Sequence, residues 1–161
     1  MERRLSAILA ADVVGYTRLM EADEAGTHAR LKAVRSDIID PKIAECGGRI
    51  VKTTGDGMLV EFPSAVDAVR SAVEVQEKMA ANGGDIRFRV GVNIGDIIIE
   101  NDDIFGDGVN LAARLEAAAP VGGVLISAAV HDHIAGKVTA LFRDGGAQSF
   151  KNISRPVQVW R

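Results

Sequence analysis

The sequence KTTGDGMLVEF, residues 52–62, decides the fold. A Gly-Asp-Gly turn lies between two runs of strand-forming residues, 49–54 and 58–62, which predicts a tight hairpin. Upstream, residues 5–13 form a short, continuous apolar run that is typical of a central strand. We therefore expect the first strand and the hairpin strands to be neighbours in one sheet.

Helical segments separate and follow these strands. Apolar residues repeat at helical spacing over 31–38, and Pro41 marks a break or a restart. After the hairpin, Ser64 and Asp67 have the spacing of a capping box at the start of an amphipathic helix. The remaining predictions are strands over 86–94 and 97–100 joined by a turn at Gly95-Asp96, a polar loop over 101–103, a helix over 107–119, a strand over 124–126, a helix over 128–135 and two strands within 138–160.

The predicted order of elements is β-α-β-β-α-β followed by β-α-β-β. The first six elements match the ferredoxin-like βαββαβ arrangement, and the others form a C-terminal βαββ extension. We expect an α+β fold in which helices cover a sheet rich in antiparallel pairs. No repeat, low-complexity segment or linker divides the sequence, so residues 1–161 are interpreted as a single domain.

Composition narrows the classes of function. The 161 residues are 47% hydrophobic and 25% charged with a formal net charge of -3, which are ordinary proportions for a globular domain. This charge balance predicts no nucleic-acid partner, and no apolar run approaches the ~20 residues that cross a bilayer, so no membrane insertion by this chain is expected. The single cysteine, Cys46, cannot form an intramolecular disulfide, which favours a reducing, cytoplasmic compartment.

Two carboxylates are the first candidate functional groups. Asp12 lies at the end of the apolar strand, where a carboxylate is costly unless it is paired or bound to a cation. Asp56 lies at the tip of the hairpin. Each has an ordinary alternative, since Asp12 could cap the next helix and Asp-Gly is a common turn. Together they predict a Mg²⁺ site, because neighbouring strands could bring both carboxylates to one end of the sheet.

Two other segments carry groups that suit phosphate. Gly15 permits close approach of the backbone, and the helix that begins near Thr17 offers free N–H groups to a phosphate. On the later helix, Asn110 and Arg114 are four residues apart and share one face. A polar stripe of this kind is usually a solvated face, but arginine also suits a developing phosphoryl charge.

Four segments together resemble the catalytic domain of class III adenylate cyclases, in the nucleotidyl cyclase family. They are ADVVGYT (11–17), KTTGDG (52–57), RVGVNIG (89–95) and DIFGDGVNLAAR (103–114). Each segment is weak by itself, but the four occur in the family's order and the resemblance covers nearly the whole chain. The related diguanylate cyclases are disfavoured, because the sequence lacks their Gly-Gly-Asp/Glu-Glu-Phe signature.

The resemblance implies a role for each matched position. Asp12 and Asp56 match the family's two metal-binding aspartates, and the Val13 carbonyl matches its backbone ligand, for two Mg²⁺ or Mn²⁺ ions per active site. Lys52 and Asp103 match the pair that recognises adenine. The other matches are the ribose-positioning Asn110, the transition-state Arg114, the triphosphate-contacting Lys151, and Gly15 and Thr17 in the phosphate-binding segment.

The activity implied is that of an adenylate cyclase, a lyase that converts ATP to 3′,5′-cyclic AMP and pyrophosphate. Lys52 donates and Asp103 accepts hydrogen bonds, which suits N1 and the exocyclic amine of adenine. Guanylate cyclases of the family typically carry Glu and Cys at the positions that Lys52 and Asp103 match, and this sequence has neither. The resemblance also implies a homodimer with two shared sites, each combining the aspartates of one chain with the nucleotide-binding residues of its partner.

Three alternatives stay open at this point. They are a cyclase with relaxed choice between ATP and GTP, a catalytically silent domain that binds nucleotide or only dimerises, and an unrelated ferredoxin-like regulatory module. The sequence also departs from the family, with Asp96 where some members carry a phosphate-binding arginine and a short link that predicts a reduced hairpin between Gly91 and Asp103. Arg87 and Arg89, at alternating strand positions, are interpreted as part of a solvated face.

Overall fold

The computed structural model describes residues 2–138, 142, 144–148 and 157–160. The strands are β1 Glu2–Val13, β2 Arg49–Thr53, β3 Gly57–Phe62, β4 Phe88–Glu100, β5 Asp103–Phe105, β6 Val124–Ser127, β7 Asp144–Gln148 and β8 Val157–Trp160. They form one sheet in the order β2-β3-β1-β4-β6-β8-β7, with β5 paired to β4. Within the described residues, β4 and β6 pair in parallel and the other neighbours are antiparallel.

The helical segment before the hairpin is divided into several elements. A π-helical turn, Arg35–Ile39, directly precedes the helix that contains Pro41 in its first turn. Proline has no N–H and clashes with the preceding helical turn, so the wider π-helical turn relieves the conflict and the helix restarts, as predicted. The helices are α1 Tyr16–Ala22, α2 Glu24–Val34, α3 Asp40–Glu45, α4 Ala65–Asn82, α5 Asp107–Ala118 and α6 Ala128–Ile134.

The α+β prediction is confirmed, with the βαββαβ core in the expected order. After this core the chain continues through β5, α5, β6, α6, β7 and β8, so the extension contains both of the helices predicted over 107–119 and 128–135. The predicted turn at Gly95-Asp96 is wrong, because β4 runs through both residues and pairs with Ser6 and Leu5 of β1. The chain reverses instead at residues 101–102, which have positive φ angles of 52° and 64°. Two such residues form the tight turn that joins β4 to β5, so the expected polar loop contains the start of a strand.

The two faces of the sheet carry different layers. On one face, α2, α3, α4 and α6 bury a large cluster that includes Leu9, Val60 and Val92. The side chain of Ser64 caps α4 by accepting a hydrogen bond from the Asp67 N–H at 3.1 Å, as the sequence predicted. The other face carries α5. Within the described residues, no helix is both long and apolar enough to cross a membrane.

Candidate active site

Asp12 and Asp56 lie at the same end of the sheet. In the register of β1 and β3, Asp12 is opposite Gly57, the residue that follows Asp56. The backbone N–H of Val13 donates to the Asp56 carbonyl oxygen at 2.8 Å, which ties the end of β1 to the tip of the hairpin. The strand adjacency that the sequence predicted therefore brings the two aspartates together.

Thr54 holds the turn that carries Asp56. The N–H of Gly57 donates to Oγ1 of Thr54 at 3.1 Å, and the N–H of Thr54 donates to the Gly57 carbonyl oxygen at 2.9 Å. The Thr54 hydroxyl is also 3.5 Å from Oδ1 of Asp56. A Cβ on Gly57 would lie 3.2 Å from the Ala11 carbonyl oxygen, so glycine lets the hairpin approach β1 closely.

A third carboxyl group lies beside Asp12. Glu116 of α5 is partly buried, and its side chain contacts that of Asp12. Burial, followed by the contact with Asp12, raises the pKa of Glu116 to about 8. Burial also raises the pKa of Asp12, with a further contribution from the charge of Asp56. Hard oxygen donors crowded in this way are stabilised in their ionised form by a divalent cation, so the residues present fit the metal ions implied by the resemblance.

The backbone between Asp12 and α1 turns sharply at Gly15. Its φ of 64° and ψ of 33° are left-handed, and no heavy atom lies within 4 Å of the position that a Cβ would take. Glycine is therefore required for its backbone conformation and not for space. The N–H of Val14 donates to the Arg87 carbonyl oxygen at 2.8 Å, and Thr17 is exposed in the first turn of α1. The role of Gly15 and Thr17 with phosphate stays a prediction.

Lys52 and Asp103 form an ion pair. Nζ of Lys52 is 3.3 Å from Oδ2 of Asp103, and the two side chains are 50% and 33% exposed. Oδ1 of Asp103 accepts the Ile104 N–H at 2.8 Å. This backbone hydrogen bond and, to a smaller extent, Lys52 lower the pKa of Asp103. The carboxylate therefore stays ionised at neutral pH and can only accept hydrogen bonds.

This ion pair depends on the way the β4–β5 hairpin folds over the sheet. β2 and β5 are not sheet neighbours, so pairing alone does not bring Lys52 to Asp103. Ile97 of β4 and Ile104 of β5 are each 1% exposed and pack with Leu59 on the α5 face. Burial of each isoleucine contributes roughly 1.5–3 kcal/mol, which holds the hairpin in place and presents Asp103 to Lys52.

Asn110 and Arg114 lie one turn apart on α5, with Asn110 exposed and Arg114 partly buried. The start of this helix is anchored by Asn93, which is buried in β4. Nδ2 of Asn93 donates to the Gly108 carbonyl oxygen at 3.1 Å, and its Oδ1 accepts from Oγ of Ser127 at 2.7 Å. The helix is thus a fixed base for both side chains.

Two residues next to Asp12 were missed in the sequence. The expectation of a solvated face is wrong for Arg89, which is opposite Asp12 in the β1–β4 register and whose Nε donates to the Ala119 carbonyl oxygen at 3.1 Å. Glu116 was not singled out at all. The sequence did contain a signal for Glu116: it is a carboxylate directly after the buried residue Leu115, at a position of the predicted helix that faces the sheet.

The remaining predicted site residues either lie outside the described part of the chain or have roles that the structure does not test. Lys151 lies outside the described residues. The metal-binding role of Asp12 and Asp56 stays a prediction, as do the nucleotide-binding roles of the residues on β2, β5 and α5. What the structure adds is their placement, with the two aspartates at one end of the sheet and the lysine–aspartate pair beside the turn of the β4–β5 hairpin.

Comparisons with known proteins agree with the fold. Residues 4–152 match the family model of the adenylate and guanylate cyclase catalytic domain. A crystal structure of an adenylate/guanylate cyclase/hydrolase from Silicibacter pomeroyi is similar with a TM-score of 0.93 and 51% identity, over 99% of this chain and 96% of that chain. The adenylyl cyclase CyaB from P. aeruginosa has a TM-score of 0.83 and 29% identity, over 99% of this chain and 95% of that chain.

Among curated proteins, "Putative adenylate cyclase 3" of Rhizobium meliloti (strain 1021) is 51% identical over 99% of this chain. The alignment covers 28% of that protein. The chain spans about a third or less of the length of the first curated relatives that it matches. The match to the family model nevertheless covers most of the chain, and the chain belongs to the family of adenylate and guanylate cyclase catalytic domains.

Proposed function

We propose that this domain is an adenylate cyclase that converts ATP to 3′,5′-cyclic AMP and pyrophosphate at sites shared by two copies of the chain. The Lys52–Asp103 pair carries the proposal, because it places a donor and an acceptor side by side at 3.3 Å. The names of similar proteins from Rhizobium meliloti and P. aeruginosa support the same activity. The single cysteine, Cys46, favours the reducing cytoplasm as its compartment.

The choice of base follows from hydrogen-bonding chemistry. Adenine presents an acceptor at N1 beside a donor at its exocyclic amine. The Lys52 ammonium only donates and the ionised Asp103 carboxylate only accepts, so the pair complements this edge. Guanine presents a donor and an acceptor in the opposite order, which would leave both protein groups without a partner. We therefore infer that ATP is preferred over GTP.

The reaction joins the ribose 3′ oxygen to the α-phosphorus while the bond to the leaving pyrophosphate breaks. Asn110 would orient the ribose for this in-line attack, and Arg114 would stabilise the charge that develops on the α-phosphoryl oxygens. The turn at Gly15 and the hydroxyl of Thr17 would bind the phosphates, together with Lys151. Most of the catalytic effect is then positioning and charge stabilisation.

Asp12, Asp56 and the Val13 carbonyl would hold two Mg²⁺ or Mn²⁺ ions. Divalent ions bound there would lower the pKa of the ribose 3′-hydroxyl and offset the negative charge of the phosphates. The aspartates suit this task because burial raises the pKa of Asp12, so that its ionised form gains from a nearby cation. We call these three residues the metal half-site and Lys52, Asp103, Asn110 and Arg114 the nucleotide half-site.

The geometry of α5 supports a site that two chains share. Glu116 contacts Asp12 in its own chain. Arg114 is two residues earlier, which places its side chain about 200° away around the helix. Arg114 therefore leaves α5 on the side opposite to its own metal half-site. A second copy of the chain would supply the aspartates that Arg114 serves, and a symmetric dimer would have two such sites.

Turnover assays test this proposal directly. ATP and GTP are compared at equal concentration with Mg²⁺ and with Mn²⁺, over a dilution series of the protein. We expect cyclic AMP as the main product and a specific activity that falls as the dimer dissociates. Comparable cyclic GMP formation would support relaxed base choice, and no cyclic nucleotide at any protein concentration would support a silent domain.

Mixing two inactive variants tests the shared site. Asp56→Ala damages the metal half-site and Arg114→Ala damages the nucleotide half-site, so each homodimer should be inactive. The mixed dimer keeps one intact site of the two, and its activity should return to roughly a quarter of wild type for random pairing. No recovery in a mixture shown to form heterodimers would argue against sharing.

A further inference from the structure

Glu116 is a partly buried carboxyl group to which the resemblance assigns no role. Its side chain contacts that of Asp12, and the charges of Asp56 and Arg89 act on it. We propose that Glu116 is a positioning residue of the metal half-site, whose contact with the Asp12 carboxyl group sets the direction in which that group presents its oxygens. The proposal rests on the adenylate cyclase function proposed above.

The backbone holds Glu116 at this position. A Cβ on Gly91 of β4 would lie 2.6 Å from the Ala112 carbonyl oxygen and 2.9 Å from the Glu116 Cα. No side chain fits into this gap, so α5 packs directly on the backbone of the strand. Gly91 is itself opposite Ala10 of β1, two residues before Asp12. Glu116 therefore reaches Asp12 from a rigid helix–strand contact.

Arg89 completes the arrangement around the two carboxyl groups. It is the cross-strand partner of Asp12, and its charge lowers the pKa of both Asp12 and Glu116. Its Nε is fixed by the Ala119 carbonyl oxygen just beyond the end of α5. The helix thus provides both the carboxyl group that contacts Asp12 and an anchor for the cation beside it.

Glu116 is proposed to act through Asp12 and not as a third metal ligand. In the part of the chain that the structure describes, no three side chains of His, Cys, Asp or Glu are placed to hold one metal ion. Groups that hydrogen-bond a metal ligand orient it, and their loss typically reduces metal affinity or activity by about 10–100-fold. The same range is expected for removal of Glu116.

Binding of Mn²⁺ to the nucleotide-free homodimer is the first test. We expect Glu116→Ala to raise the Kd for Mn²⁺, measured by electron paramagnetic resonance, by about 10–100-fold. Glu116→Gln keeps the length and the polar end of the side chain and therefore its contact with Asp12, so its Kd should stay much closer to that of the wild type. Glu77→Ala, at an exposed position of α4, is the matched control, and thermal unfolding confirms that each variant is folded.

A second test asks which chain needs Glu116. In the mixture of Asp56→Ala and Arg114→Ala chains, the intact site takes its metal half-site from the Arg114→Ala chain. Glu116→Ala is therefore added to one chain or to the other in separate experiments. The Mn²⁺ concentration for half-maximal activity should rise at least about ten-fold more when the substitution is in the Arg114→Ala chain. A merely structural role would give the same rise in both arrangements.

The outcomes separate this proposal from the proposed function. Equal effects in the two arrangements, or wild-type Mn²⁺ affinity in the folded Glu116→Ala homodimer, would overturn the role of Glu116. A Glu116→Gln Kd as high as that of Glu116→Ala would also overturn it. The mixture of Asp56→Ala and Arg114→Ala chains could be inactive while the Glu116→Ala homodimer still binds Mn²⁺ more weakly than the wild type. That result would reject the shared cyclase site and keep Glu116 as a residue that positions a metal ligand.

Discussion

Lys52 and Asp103 are 51 residues apart in the chain, and their side chains meet at 3.3 Å because the β4–β5 hairpin folds over the sheet. Both side chains remain partly exposed, at 50% and 33%. An exposed ion pair contributes about 0.2–1 kcal/mol, whereas a hydrogen bond to a charged group contributes about 1.5–3 kcal/mol. A base that satisfies both groups can therefore replace the ion pair with a net gain.

Base preference should reverse when this pair is changed. Lys52→Glu with Asp103→Cys removes the proposed donor for N1 of adenine and introduces a carboxylate that can accept from guanine N1. We expect the ratio of kcat/KM for ATP over GTP to fall by about 100-fold or more, since buried or bound polar groups left unpaired discriminate strongly. Steady-state assays with both nucleotides measure this ratio.

The control for the base-preference variant is Lys32→Glu, which reverses a charge at an exposed position of α2. It should leave the ATP to GTP ratio as in the wild type. If the double variant loses activity on ATP but its ratio does not change, Lys52 and Asp103 do not select the base and their ion pair is structural.

Removal of a carboxylate from the metal half-site should abolish metal-dependent turnover. Asp56→Ala leaves the two hydrogen bonds between Thr54 and Gly57 in place and removes only the 3.5 Å contact between the Thr54 hydroxyl and Oδ1 of Asp56. A bound metal ion supplies several kcal/mol of transition-state stabilisation, so we expect kcat to fall by about a thousand-fold. Cyclic AMP formation over a Mn²⁺ titration measures the loss, and thermal unfolding shows whether the fold is kept.

Asp132→Ala, at an exposed position of α6, is the control for Asp56→Ala. It also removes one negative charge, at a position distant in sequence from the hairpin, and should retain wild-type kcat. Wild-type turnover in folded Asp56→Ala would show that Asp56 does not bind a required metal.

The strands were predictable where local signals and sheet pairing agree. The hairpin at residues 52–62 and the apolar strand over 5–13 have both. The turn expected at Gly95-Asp96 failed because β1 begins at Glu2 and is long enough to pair with β4 through Ile99. Strand pairing over this length overrides a local glycine signal, and the reversal moves to residues 101–102.

The site was predictable to the extent that it depends on neighbouring strands. Asp12 and Asp56 meet because β1 and β3 pair, which follows from the predicted fold. The contact between Asp12 and Glu116 depends on how closely α5 approaches Gly91, and that distance has no signal in hydrophobic periodicity. Helical spacing predicts which face of α5 is buried, but not which carboxyl group that face meets.

The close packing of α5 on β4 makes Gly91 a sensitive position. In Gly91→Ala the new methyl group would press on the Ala112 carbonyl oxygen and the Glu116 backbone. The helix must move, so we expect a loss of about 1–3 kcal/mol in the free energy of unfolding. Activity should fall as well, since in the proposed dimer α5 would carry Arg114 for one site and Glu116 for the other. Urea unfolding and cyclic AMP assays measure the two effects.

Gly84→Ala is the matched control for Gly91→Ala. The nearest atom to its new Cβ would be Nδ2 of Asn82 at 3.5 Å, which is an ordinary contact. Its free energy of unfolding should stay within about 0.5 kcal/mol of the wild type. Equal stability of the two alanine variants would mean that α5 can shift away from β4 without cost.

Stability in acid should depend on Glu61, a buried carboxylate that joins three strands. It accepts hydrogen bonds from Arg4 at 2.8 and 2.9 Å, from Ser6 at 2.7 Å and from Arg49 at 3.0 Å. Burial by itself would raise its pKa, but these hydrogen bonds outweigh burial and lower the pKa to about 2. The folded state therefore binds fewer protons than the unfolded state between about pH 4.5 and pH 2.

The contribution of Glu61 is fully present above pH 4.5 and is lost as the pH falls towards 2. The shift corresponds to about 3 kcal/mol, and the arginines are nearly half exposed, so we expect about 1–3 kcal/mol after solvent screening. Glu61→Gln should lower the free energy of unfolding by this amount at pH 7 and by clearly less at pH 3. Urea unfolding at both pH values measures the difference, with Glu77→Gln as the exposed control. A deficit of equal size at both pH values would show that Glu61 stabilises the sheet by packing and not by its charge.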